Sequence, residues 1–276
     1  MKDAMDVMQW RGGAWVPGTP PPPPEETPVA IVIDGMSQAV LMATPHDLQD
    51  FATGFALTEG MIADPADITG FETVPVETRG LPGVEARLWL RPGLSALLLE
   101  RRRSMIGPVG CGLCGVDSIE AALPQITPVA GSFTMPPEDV ARAMAAMSQG
   151  QARRRDTPAI HGAGFWDGSR AIVREDVGRH NAVDKVIGWA LLAERLPLRA
   201  CFLLVSSRAS FEITQKAYMA GIPLLACVSA ASSLAVETAE EFGMTLVGFT
   251  RAAEDGDGRM NLYTHPERID LDAVEG

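Results

Sequence analysis

The chain has 276 residues, 46% of them hydrophobic, and carries a formal net charge of −12. It is long enough for one large or two small domains with a core that needs no disulfide or metal, and its acidic balance disfavours nucleic-acid binding, which requires a basic face. Four cysteines are too few for a disulfide framework and fit a reducing cytoplasm, and neither a signal peptide nor an apolar run of membrane-spanning length is read from the sequence.

Residues 1–28 read as a proline-rich flexible tail in which Pro20 to Pro24 favour extended polyproline II. A small N-terminal α+β domain is expected over 29–104. Strands at 29–33 and 40–42 join across Asp34-Gly35, a hairpin turn signal. Thr44-Pro45-His46-Asp47 predicts a helix start with Thr44 as N-cap, Leu48, Phe51, Phe55 and Leu57 supply its apolar face, and Gly60 ends it. A strand follows at 84–90 and a helix at 94–103. Residues 105–130 read as a mobile loop and linker, because glycine and proline surround Cys111 and Cys114 in Gly107-Pro108-Val109-Gly110-Cys111-Gly112-Leu113-Cys114-Gly115.

Residues 131–276 read as an α/β domain. Strands near 171–173, 201–205, 224–228 and 245–249 alternate with helices carrying Val183, Val186 and Ile187, then Phe211, Ile213 and Tyr218, then 234–242. That rhythm predicts a mostly parallel sheet with right-handed crossovers. Strand-to-helix loops of such a sheet share one rim, where open α/β sheets bind ligands. Three of these loops are polar: Arg174-Glu175-Asp176-Val177-Gly178-Arg179-His180-Asn181, Ser206-Ser207-Arg208-Ala209-Ser210 and Ser229-Ala230-Ala231-Ser232-Ser233. Any one serine is accounted for as a helix N-cap. Together the loops point to a phosphate-bearing ligand at helix N-termini. Neither a P-loop nor a dinucleotide fingerprint is present.

The cysteine pair admits several chemistries. A structural zinc site needs four ligands. The other thiols, Cys201 and Cys227, lie in apolar strands and read as core residues, and His161 and His180 lack a paired motif. Thioredoxin-like dithiols open a helix, whereas glycines flank this pair. A zinc deaminase needs His-x-Glu ahead of its cysteines; His161-Gly162-Ala163 lacks the glutamate and follows them. A sulfur-carrying thiolate remains, favoured by Arg101-Arg102-Arg103 upstream. The second run, Arg153-Arg154-Arg155, reads as a solvated helix end.

Several segments together resemble the FdhD family of formate dehydrogenase accessory proteins. They are Cys111-Gly112-Leu113-Cys114-Gly115, Glu175-Asp176-Val177-Gly178-Arg179-His180-Asn181-Ala182-Val183-Asp184-Lys185, Ser206-Ser207-Arg208-Ala209-Ser210-Phe211-Glu212 and Tyr263-Thr264-His265-Pro266. The similarity runs from about residue 27 to about 269. It implies a sulfurtransferase that accepts persulfide sulfur from a cysteine desulfurase and passes it to the molybdenum cofactor, bis(molybdopterin guanine dinucleotide), for formate dehydrogenase. Cys111 matches the carrier position and Cys114 a supporting one. The resemblance also implies a three-layer, cytidine-deaminase-like C-terminal domain without a metal site, a homodimer, and guanine nucleotides such as GDP or GMP as cofactor mimics; no membrane partner is expected, since the sequence has no apolar run long enough to span one. Expected cofactor contacts are Asp176, Arg179, His180, Asn181, Lys185, Ser206, Ser207, Arg208, Ser229, Phe249, Thr250, Arg251, Gly258 and Arg259. The 252–258 stretch is longer and more acidic than the family pattern. The alternative class is a zinc-dependent, nucleotide-binding enzyme of deaminase type.

Overall fold

The computed structural model describes residues 7–94, 127–129, 133–196, 201–251 and 258–272. Cys111, Cys114, Arg101–Arg103 and most of the 105–130 segment lie outside the described residues. Strands β1 (Val7–Arg11) and β2 (Ala14–Gly18) pair as an antiparallel hairpin. Their turn is Gly12-Gly13, both at positive φ. Trp10 and Trp15 face each other across it with ring centroids 5.5 Å apart. The reading of 1–28 as a featureless tail is therefore corrected over 7–18, because a turn that only glycine adopts easily and a cross-strand tryptophan pair outweigh the proline content. The proline run itself carries no regular structure.

Strand β3 (Thr27–Ile33) pairs antiparallel with β4 (Met36–Ala43). Asp34 and Gly35 sit at φ 48° and 78°, as a tight hairpin turn requires. Helix α1 (Leu48–Thr58) buries Phe51, Phe55 and Leu57, and Gly60, at φ 68°, follows its end. Its first flanking residue is Asp47 rather than Thr44. Thr44 is instead recruited by a distant segment, described below. Strands β5 (Ile68–Thr78) and β6 (Leu81–Leu90) form a second hairpin, and β6 runs parallel to β3 in a four-stranded sheet ordered β4-β3-β6-β5.

The second sheet is built from β7 (His161–Trp166), β8 (Ala171–Asp176), β9 (Phe202–Val205), β10 (Leu224–Cys227), β11 (Thr245–Arg251) and β12 (Arg259–Thr264). The strand order is β12-β11-β10-β9-β7-β8. β9, β10 and β11 are mutually parallel, while β7 is antiparallel to both β8 and β9. β8 therefore points the same way as β9, β10 and β11. Four of the six strands share one direction, as the expected mostly parallel sheet requires, but the sheet is mixed: β7 and β12 run counter, so three of its five pairings are antiparallel. The shared direction brings the carboxyl ends of β8 to β11 to one rim.

Side-chain alternation along the buried strands feeds two cores. Leu203, Val205, Leu225 and Leu246 join one cluster, and Phe202, Leu204, Leu224 and Val247 the other. Helix α2 (Pro137–Gly150), through Met144 and Met147, covers the second face. Helices α4 (Arg179–Leu192), α5 (Phe211–Met219) and α6 (Ser233–Glu241) cover the first. The short helix α3 (Ala152–Asp156) lies between α2 and β7. The first core continues through α1 into Ile31, Ile33 and Leu88 of the four-stranded sheet. That continuity needs α1 and α4 in backbone contact. Gly54 lies against the Asp184 carbonyl and Gly188 against the Asp50 carbonyl, so a side chain at either would collide with main chain.

Candidate functional site

The rim begins at the end of β8, where alternate side chains point to opposite faces of the sheet. Glu175 turns toward α3, and its two carboxylate oxygens accept the Arg153 and Arg154 backbone N–H at 2.8 and 3.0 Å. Asp176 turns toward α4. Its Oδ1 accepts from Gly178 N at 2.7 Å and Asn181 Nδ2 at 3.0 Å, and its Oδ2 accepts from Thr44 N at 3.0 Å. Lys185 Nζ completes the set, donating to the Thr44 carbonyl at 2.8 Å. Asn181 also donates to the Met42 carbonyl at 2.9 Å, and Thr44 Oγ1 accepts from Val177 N at 3.1 Å. This network explains why Thr44 does not cap α1. Burial pulls the Lys185 ammonium below its ordinary range, against the pull of Asp176.

Asp176, Asn181 and Lys185 were expected to touch a ligand. The structure turns them inward, where they clamp the 176–181 loop to the β4–α1 connection. Ser206 is also internally engaged: its Oγ accepts from Gly162 N at 2.9 Å, tying β9 to β7. Ser207 Oγ donates to the Arg208 carbonyl at 3.0 Å. These residues shape the rim.

A different set remains open. Arg179 Nε, His180 Nε2, His161 Nδ1, Ser210 Oγ and Thr250 Oγ1 are buried with no hydrogen-bond partner among the described residues. Each such atom costs about 1–3 kcal/mol unless a ligand or water engages it. They come from the start of α4, the start of β7, the residue before α5 and the end of β11, all on the same rim. His161 is the register partner of Asp176. Burial, Arg179 and Lys216 push the His180 imidazole down to about 4, with Glu212 opposing. Burial, Arg179 and Arg154 also lower His161. Glu212 stays below the ordinary carboxylate range despite burial; it lies beside Ser210, whose hydroxyl nonetheless falls outside hydrogen-bond geometry with it. His161 as a rim residue was missed by sequence reasoning, because its strand, β7, leads into the antiparallel β8 and not into a helix, and carries two glycines.

Further along, Phe249 sits at φ 53° and is 43% exposed. This conformation is strained for an aromatic residue, and the β11–β12 register breaks between Gly248 and Arg251. The bulge turns the ring outward beside Ser229, whose carbonyl accepts Phe249 N at 3.0 Å. Arg251 donates to the Val228 carbonyl at 2.7 Å, and Arg259 is its cross-strand partner. Arg208, Ser229, Gly258 and Arg259 are exposed. Among the described residues Arg153, Arg154, Arg155, Arg179, Arg208, Arg251 and Arg259 form no ion pair with a carboxylate, and neither do Arg11, Arg79 and Arg195 elsewhere, whereas Arg87, Arg91, Arg142, Arg170, Arg174 and Arg268 do. Several of the unpaired arginines border the rim of this acidic protein.

The remaining cysteines and the Tyr263-Thr264-His265 motif are structural. Cys201 and Cys227 are buried, and the Cys227 thiol, pushed up to about 11 by burial, donates to the Ser229 carbonyl at 3.0 Å. Thr264 Oγ1 donates to the Met244 carbonyl at 2.7 Å, and Thr245 Oγ1 to the His265 carbonyl at 2.7 Å, at the opposite end of β11 from the rim. Among the described residues no cluster of three or more His, Cys, Asp or Glu side chains is placed to hold a metal ion, and no helix is long and apolar enough to cross a membrane.

Fold and site together define an α/β protein whose rim carries arginines and buried polar atoms left unengaged among the described residues. Comparison with known proteins places it further: residues 24–270 match the model of the FdhD/NarQ family, and the chain belongs to that family. It is 43% identical over 269 residues to the sulfur carrier protein FdhD of Bordetella bronchiseptica, covering 96% of this chain and 94% of that one. It is 44% identical over 254 residues to that of Xanthomonas axonopodis pv. citri, covering 91% and 86%. A crystal structure from Desulfotalea psychrophila, described as that of a formate dehydrogenase accessory protein, superposes with a TM-score of 0.69 at 25% identity, covering 95% of this chain and 98% of that one.

Proposed function

We propose that this protein carries sulfur for formate dehydrogenase maturation. It accepts persulfide sulfur from a cysteine desulfurase on Cys111 and delivers it to bis(molybdopterin guanine dinucleotide) bound at the rim. In the loading step the Cys111 thiolate attacks the outer sulfur of the donor persulfide. A new S–S bond forms on Cys111, and the donor cysteine leaves as a thiolate. Cys114 supports this step.

The observation that carries the rim assignment is the set of buried, unengaged atoms that His161, Arg179, His180, Ser210 and Thr250 place along it. A phosphate-bearing ligand supplies the acceptor oxygens they lack. Arg208, Arg251 and Arg259 border the same rim and add charge. Phe249 offers an aromatic face of the kind on which a guanine base stacks, next to Ser229 and Gly258. Asp176, Asn181, Lys185, Ser206 and Ser207 preserve the shape of the rim.

The test combines the protein with a desulfurase and cysteine, then measures the mass of the Cys111 peptide. One added sulfur atom is expected on the native chain and none on Cys111→Ala. If Cys111→Ala still gained sulfur and still supported formate dehydrogenase activity, the reading would be wrong.

A further inference from the structure

We propose that His161, Arg179, His180 and Ser210 form an oxyanion seat that takes up a proton when it fills. The inference rests on the cofactor-binding reading above and adds how that site responds to pH.

The geometry supplies the seat. Four side chains from β7, α4 and the start of α5 each present a buried polar atom with no partner among the described residues. Three carry nitrogens able to donate, and the fourth is a hydroxyl on a residue only 7% exposed. The Asp176 clamp fixes the backbone from which Arg179 and His180 project. The seat is thus held ready while its own donors stay unused.

The charges around the seat decide the proton count. On α4, Arg179 adjoins His180, and buried Asp184 lies further along. From α5 come Glu212 and Lys216, the latter held by Asp184 at 2.9 Å and by Glu59, just past the end of α1, at 3.5 Å. Burial works against the Lys216 charge, but those two carboxylates outweigh it and keep it protonated. From β7 comes His161, with Arg154 of α3 and Asp176 of β8 acting on it in turn. Arg179 and Lys216 therefore oppose a charge on His180, and only Glu212 favours one. Burial and these cations hold both imidazoles below their ordinary value. An anion placed against them opposes burial and the cations, since an opposite charge at contact distance raises such a group by about one to three pH units. The proton comes from solvent and is held on an imidazole nitrogen.

The chain has four histidines, so their ring Cε1–H signals can be followed one by one by NMR. His161→Gln and His180→Gln each delete one signal and assign it. The pH titration is run on the native full chain alone, with saturating GDP and with guanosine. The imidazole is read directly because a diphosphate titrates in the same range. With GDP, the midpoint of His180 or His161 is expected to rise by about one unit or more, while His265 stays fixed. Guanosine, lacking the diphosphate, is expected to leave His161 and His180 unchanged. GDP binding with unshifted His161 and His180 midpoints overturns the proton-coupled seat and leaves the cofactor reading standing. An equal shift with guanosine also overturns the seat, by showing that the base lies against the histidines. Failure of GDP to bind overturns the rim reading itself.

Discussion

Lys185 Nζ lies 2.7 Å from Asp176 Oδ2, with neither side chain exposed to solvent. The pair joins the end of β8 to the second turn of α4 and holds the backbone of Thr44 between them. A buried charge is tolerated only while its partner is present. Lys185→Met leaves Asp176 buried and uncompensated and is expected to cost about 3–5 kcal/mol of stability in urea unfolding. Adding Asp176→Asn is expected to recover part of that loss, which is the signature of coupling between the two.

Gly54 and Gly188 set the separation of α1 and α4. Alanine at either would press into main-chain carbonyl oxygen. Gly54→Ala and Gly188→Ala are each expected to lower stability by about 1–3 kcal/mol, read as a reduced midpoint in thermal unfolding. By contrast, Gly80→Ala has open space around it but sits at φ 76°, and its smaller cost arises from backbone strain alone.

Two histidines shape the pH dependence of stability in opposite senses. His180 titrates at about 4 in the folded chain against an ordinary 6.5, so between those values the unfolded chain binds a proton that the folded chain refuses. Its contribution is present above the ordinary value and is lost as pH falls toward the lower one. His265 is raised: burial opposes its charge, but the Glu240 carbonyl and the Glu267 carboxylate outweigh it. Its contribution is present below the ordinary value and fades as pH rises through the folded one. Denaturation free energies across pH are expected to show a flattened acid limb for His180→Gln and a flattened neutral-to-alkaline limb for His265→Gln.

Thiol reactivity should divide the cysteines. Cys227 is buried and its thiol is raised to about 11, and Cys201 is buried in the core. Brief alkylation of the native protein at about pH 8, near the ordinary thiol value, followed by peptide mass spectrometry, is expected to modify Cys111 and Cys114 and to spare the other two. Denaturant should equalise all four.

By itself the sequence determined the elements whose signal is local. The apolar runs at β9, β10 and β11, the Asp34-Gly35 turn and the Gly60 helix stop were all legible, because burial and positive φ leave marks in neighbouring residues. So was the rim, since parallel strands put their following loops on one edge. Tertiary structure alone decided what each polar residue does there. Asp176 and Thr44 are 132 positions apart, and no local pattern says that one carboxylate will spend its lone pairs on a distant backbone while Arg179, three residues later, keeps an unengaged nitrogen. Only packing brought His161 to the rim, by inserting the antiparallel β7 between β8 and β9. Only the bulge after Gly248 turned Phe249 outward. Backbone propensity is written over a few residues, whereas the satisfaction of a buried polar atom depends on every segment that closes around it.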